Sequence, residues 1–159
     1  MAAKKIAKYS TIGSNPFAGF KCKGSNVEIF NKEGITHIET TDPFKVLEQQ
    51  ISKFSPVRVN GLPDFFGGAV GYTSYDSVRY VETLPDSTAD DLNLPDMYFM
   101  FYDETIVFDH LNKTIKVVCA AHIDERDIQE IYEDTVNKID NVTNKLRTPV
   151  MTRSEERRV

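Results

Sequence analysis

The chain has 159 residues, enough for one domain with a real core. Its 40% hydrophobic and 27% charged residues are ordinary for a globular protein. A net charge of −5 argues against a nucleic-acid binder, and no apolar run approaches the ~20 residues of a membrane-spanning helix.

The opening "MAAKKIAKYS" has lysines but no apolar segment after them, so no signal peptide is expected. Cys22 and Cys119 stand in neither metal-ligand nor redox spacing. The simplest reading is two reduced thiols in a cytoplasmic protein, with a disulfide between them as the alternative.

In chain order, "FKCKGSNVEIF" forms two short runs about the turn Gly24-Ser25-Asn26, a hairpin signal. "NKEG" at Asn31 to Gly34 is a second turn, and "ITHIE" alternates apolar and polar as a third strand. "TTDPFKVLEQQISKF" reads as a helix capped by Thr41 or Asp42, with Pro43 in its first turn, where a missing N–H costs nothing. Phe44, Leu47, Ile51 and Phe54 give that helix one apolar face.

"LPDFFGGAVGYTSYDSVRY" follows, a strand holding Gly67, Gly68 and Gly71 among aromatics, then a short helix over "YDSVRYVE". Glycine in a strand marks a bulge or a close approach by another backbone. "TLPDSTADDLNLPD" is a loop. "MYFMFYDETIVFDHLNKTIKVVCAAHI" is two long β runs about the turn "DHLNK", predicting an antiparallel hairpin with at least one central strand.

"DERDIQEIYEDTVNKIDNVTNKL" carries Ile128, Ile131, Tyr132, Val136, Ile139, Val142 and Leu146 at helical spacing, with Asp124 as a cap. The domain is expected to run over 1–147, with 148–159 a linker or disordered tail. Strands in hairpin runs define the class as α+β, an antiparallel sheet of hairpin-connected strands with helices packed on it.

Charge is uneven. Residues 1–27 hold five lysines and no acid, and residues 82–109 hold eight acids and no lysine or arginine. The first patch could attract an anion and the second a basic partner. The plainer reading is gatekeeper lysines and a solvated loop.

Catalytic signals are scarce. His37, His110 and His122 have no partner at ligand spacing, and His110 beside Asp109 reads as a turn pair. "GGAVG" is not a phosphate-cradling glycine loop. Asp86, Asp90, Asp91 and Asp96 match no calcium loop. Ser10, Ser14, Ser74 and Ser77 lack a nucleophile-elbow context. No catalytic, substrate-binding or metal-binding residue is assigned. The glycine stretch is the exception: glycines that admit a neighbour, ringed by Phe65, Phe66, Tyr72, Tyr75 and Tyr80, are what a tight interface needs. The neighbour belongs either to this domain or to a second one.

"LPDFFGGAVGYTSYDSVRYVETLP" followed by "DLNLPDMYFMFYDETIVFDHLNKTIKVV" resembles the N-terminal region of the large subunit of anthranilate synthase, which aminodeoxychorismate synthase shares. "AKYSTIGSNPF" is similar to the family's "GRYSFIG…NP" segment, with Lys8 where arginine is usual. The resemblance covers residues 7 to about 120, and "VRYVE" with "LPD" favours anthranilate synthase.

It implies an enzyme that converts chorismate to anthranilate and pyruvate on the path to tryptophan, using Mg²⁺ and ammonia from a glutamine amidotransferase subunit. It places the Mg²⁺ ligands and chorismate site in a C-terminal domain that this sequence does not contain, so the chain alone is expected to be inactive and to hold no cofactor. The family's tryptophan-feedback pocket includes an LLES-type motif that is missing here. Its expected remnant is Lys8, Tyr9, Ser10, Asn15 and Pro16, with Lys8 toward a carboxylate and Tyr9 against a ring. Gly67, Gly68, Gly71, Tyr72 and Tyr75 are expected to pack on the missing domain. Without it, self-association is expected. The alternatives are a stand-alone regulatory or subunit-docking module, or a remnant without a job.

Overall fold

A computed structural model describes residues 8–85 and 89–149. The expected linker or tail therefore lies almost wholly outside the described residues, as does Asp86. The chain divides into two compact units, Met1–Ala120 and Ala121–Val159, and the domain expected over 1–147 spans parts of both.

Among the described residues, the first unit holds eight strands and two helical segments. They are β1 (Tyr9–Gly13), β2 (Ala18–Lys23), β3 (Asn26–Asn31), β4 (Gly34–Glu39), α1 (Pro43–Ile51), β5 (Gly68–Thr73), a 3₁₀ turn (Tyr75–Tyr80), β6 (Met97–Tyr102), β7 (Glu104–Asp109) and β8 (Thr114–Cys119). All strand pairs are antiparallel, and they form two sheets, β1-β7-β8 and β4-β3-β2-β6-β5. The α+β class and the hairpin pairing expected from the sequence are what the fold shows. The long run from Met97 to Asp109 is not one strand, however. It breaks at Asp103, so β6 is central in the larger sheet and β7 central in the smaller.

Pairing register sorts the larger sheet into two faces, because side chains alternate along each strand. One face carries Phe20, Cys22, Val27, Met97 and Phe101, all buried, with Leu47 and Val46 of α1 laid over them. Phe54, just past the helix, meets Phe17 edge-on at 5.4 Å, and Phe44 meets Tyr80 at 6.2 Å. Side chains of this size stabilise by about 1.5–3 kcal/mol each when fully buried. The helix starts where expected: the Asp42 carboxylate accepts from Lys45 N at 3.0 Å, and Pro43 occupies the first turn. Of its predicted apolar face, Leu47 is buried, while Ile51 stays about half exposed.

The second unit holds α2 (Ile128–Arg147). Its cap is Asp127, not Asp124. The Asp127 carboxylate accepts from Gln129 N and Glu130 N, while Asp124 is taken up by the Arg126 guanidinium. An N-cap oxygen must reach the amide two or three positions on, which Asp127 can do and Asp124 cannot. Of the predicted stripe, Ile131 and Val142 are buried and Ile128, Tyr132 and Leu146 exposed.

Candidate functional site

The glycines of β5 have a neighbour inside their own unit. A Cβ on Gly71 would stand 1.9 Å from the Tyr98 carbonyl oxygen and 2.6 Å from Phe99 Cα, both backbone atoms of β6. Gly68 has φ +126°, a conformation that side chains rarely adopt. The close approach that glycine admits is thus β6 packing on β5. Beyond β5 the sheet has no further strand among the described residues. Tyr72 is partly exposed and Tyr75 is 91% exposed.

The other sequence-predicted residues fall at two places. Lys8 precedes β1 and its ammonium lies 4.7 Å from the Tyr9 ring centre. Tyr9 and Ser10 begin β1. Asn15 and Pro16 lie beyond its far end, roughly 20 Å along the chain at ~3.3 Å per residue. Ser10 Oγ is 2.7 Å from His110 Nε2, joining β1 to the turn after β7. Asp109 does not serve His110 in these contacts. Its carboxylate accepts from the Asn112 and Leu111 amides and the Asn112 side chain. Those bonds, the Asn112 amide foremost, hold the Asp109 carboxyl below its usual range.

Asn15 marks a corner that the sequence reading did not find. Residues 14–17 and 102–104 run side by side as two strands leave one sheet for the other, with Phe17 N donating to Phe101 O and Ser14 N to Glu104 O. The buried Glu104 Oε1 accepts from Ser14 Oγ and, at 3.0 Å, from Asn15 Nδ2. Asn15 has φ +49°. The available signal was the acidic pair Asp103-Glu104 interrupting an apolar β run.

A second unforeseen cluster ties the acidic loop down. Tyr80 Oη donates to Asp96 Oδ2 at 2.5 Å and lies 3.4 Å from the fully buried Cys22 Sγ. Asp96 also accepts from Gly24 N. Burial, then the bond to Asp96, pushes the Tyr80 phenol far above its ordinary value. Burial likewise pushes the Cys22 thiol up. The Lys23 ammonium pairs with Asp90 and donates to Leu94 O, so the basic hairpin and the acidic loop satisfy each other. Neither Cys22 nor Cys119 is part of a disulfide.

Among the described residues no three His, Cys, Asp or Glu side chains gather as metal ligands, and the acids Asp90, Asp96, Glu104 and Asp109 are already hydrogen-bonded within the fold. Two hollows, one in the loop from Arg58 to Phe66 and one beside Pro16 and Phe30, measure about 190 and 210 Å³. Small-molecule sites start at roughly 300 Å³. No helix among the described residues is long and apolar enough to cross a membrane.

In the first unit two antiparallel sheets share a bent corner, and one face of the larger sheet lies under α1. The chain belongs to the family described as chorismate binding enzyme, whose model matches residues 4–158. It is 34% identical over 139 residues to anthranilate synthase component 1 of Acetivibrio thermocellus, covering 87% of this chain and 28% of that protein. It is 36% identical over 151 residues to the chloroplastic anthranilate synthase alpha subunit 1 of Oryza sativa subsp. indica, covering 90% and 26%. The crystal structure of anthranilate synthase component I from Streptococcus pneumoniae TIGR4 superposes with a TM-score of 0.74 at 27% identity, over 92% of this chain and 31% of that one. The chain spans between a quarter and a third of the length of these relatives. The N-terminal large-subunit resemblance read from "GGAVGY" and "VFDH" is borne out at the level of the family and fold.

Proposed function

We propose that this chain is the N-terminal, non-catalytic part of an anthranilate synthase large subunit. The whole enzyme would convert chorismate and ammonia to anthranilate and pyruvate, with a glutamine amidotransferase subunit supplying the ammonia. The remainder of the large subunit would hold Mg²⁺ and chorismate. One observation carries the reading: the chain follows component I over 92% of its length, while the inward-turned acids Asp96, Glu104 and Asp109 are committed to hydrogen bonds of the fold. A dianionic substrate and a metal need a preorganised charged cavity, and that cavity belongs to the remaining two thirds or more of the relatives' length. The cytoplasm, a reducing compartment, fits two cysteines outside any disulfide.

The test is direct. With chorismate, Mg²⁺ and ammonium, the purified chain gives no anthranilate fluorescence. Put in place of the matched 139 residues of the Acetivibrio thermocellus protein, it supports anthranilate formation. Fluorescence from the chain alone, or a folded but silent chimera, overturns the reading.

A tryptophan-sensing module is the second reading, favoured only by the cation over the Tyr9 ring. Lys8 is turned to Tyr9 and Asn15 to Glu104, so titration calorimetry with millimolar tryptophan is expected to give no binding heat. A saturable heat, lost in Tyr9→Ala, would establish the sensor instead.

A further inference from the structure

Residues 52–67 carry the chain from α1 to β5, and within them Asn60 is the only asparagine of the sequence that is followed by glycine. Asn60 and Gly61 form the middle of a tight turn, in which the Leu62 amide donates to the Val59 carbonyl at 3.3 Å. Gly61, third in that turn, has φ +89°, and a Cβ there would meet nothing within 4 Å. Both residues are exposed. Among the described residues no hydrogen bond holds the Gly61 amide or the Asn60 carboxamide, while the Gly61 carbonyl accepts from the Lys116 ammonium of β8. Other asparagines are placed differently. Asn15 precedes a proline, which has no N–H. Asn112 spends its side chain on Asp109. Asn141 and Asn144 lie in α2, where the backbone amides are taken up by the helix.

We propose that Asn60–Gly61 is a site of spontaneous backbone modification, at which the Gly61 amide nitrogen attacks the Asn60 side-chain carbonyl carbon. The new N–Cγ bond closes a succinimide ring, and the carboxamide nitrogen leaves as ammonia with the proton of the amide. Water then opens the ring at either carbonyl, leaving aspartate or isoaspartate at position 60. No oxidant or reductant takes part. A side chain on the following residue would crowd the attack, and glycine has none. The Lys116 cation, bound to the carbonyl of the same residue that attacks, favours the negative charge developing on its nitrogen. The product adds a carboxylate to a turn flanked by Arg58, and isoaspartate adds a backbone carbon just ahead of the Gly61–Lys116 bond. The step involves no chorismate chemistry and is independent of the function proposed above.

The folded chain is held at mildly alkaline pH and its tryptic peptides are weighed over time. The peptide Val59–Arg79 contains Asn60 as its only amide side chain, so a mass gain there has one source. It is expected to convert at least about tenfold faster than Ile139–Lys145, which carries Asn141 and Asn144 of α2. The converted peptide is expected to take methyl groups from S-adenosylmethionine through an isoaspartate-specific carboxyl methyltransferase. Gly61→Ala is expected to slow conversion at least about tenfold. Because alanine is strained at φ +89°, Lys116→Gln, which leaves the turn itself untouched, is the second variant and is expected to slow it about threefold. A folded chain whose Val59–Arg79 peptide stays unconverted while the urea-unfolded chain converts overturns the proposal, because the turn would then protect the bond. So does conversion without methyl acceptance, which would mean direct hydrolysis of the side-chain amide. An unchanged rate in Lys116→Gln overturns the role assigned to that ammonium.

Discussion

At the scale of single residues, the polar side chains are informative because of where their bonds go. Tyr80 is the clearest case. Its hydroxyl ties the 3₁₀ turn to Asp96, and Asp96 in turn holds the Gly24 amide of the first hairpin. Tyr80→Phe removes a bond to a carboxylate and is expected to cost about 1.5–3 kcal/mol in urea unfolding. The pH dependence has a definite sign. The phenol's value is raised in the folded state, so its stabilisation is complete below the unfolded value near 10 and declines as pH rises past it. Wild type should therefore lose stability more steeply than Tyr80→Phe above about pH 10. Parallel curves for the two proteins would show that the Tyr80 hydroxyl is not coupled to folding.

At the scale of elements, β5 illustrates both what the sequence disclosed and what it withheld. Three glycines in an aromatic strand announced a close backbone approach, and Gly71 has one, from β6. Gly71→Ala must push the two backbones apart and is expected to destabilise by more than about 2 kcal/mol. Gly24→Ala, in open space at φ +55°, should cost only about 1 kcal/mol. Equal losses for the two would mean that β5 and β6 are not held at this distance. The hairpins and the start of α1 were legible because their signals are local: a turn glycine, a capping aspartate, a proline in the first turn. The division of Met97 to Asp109 between two sheets was not, because β propensity continues through Asp103 and only long-range pairing, β2 with β6 and β1 with β7, decides where each half goes. Asp124 looked like the cap of α2 because caps are recognised by residue type, whereas three residues of register decide which aspartate reaches the amides.

At the scale of the whole molecule, what joins the two sheets of the first unit is the corner where residues 14–17 pass residues 102–104, and Glu104 is its buried polar centre. The sequence offered Asn15 as part of a ligand pocket; here its amide is a strut to Glu104. Gly13 belongs to the same corner, since a Cβ there would stand 2.7 Å from the Tyr102 ring. Glu104→Ala would leave Ser14 and Asn15 without this acceptor and hollow a buried position, at an expected cost of about 2–3 kcal/mol. The more telling consequence is where the loss appears. The core under α1, built on Phe20, Met97 and Leu47, does not use Glu104. Hydrogen exchange should accelerate first in the β1–β7–β8 amides, those of Ile12 and Val107 among them, while Phe20 and Phe99 keep the protection of the global fold. If all these amides speed up together, the corner is part of one cooperative core. If the smaller sheet opens alone, Glu104 is the latch that lets the two sheets of this unit act as one.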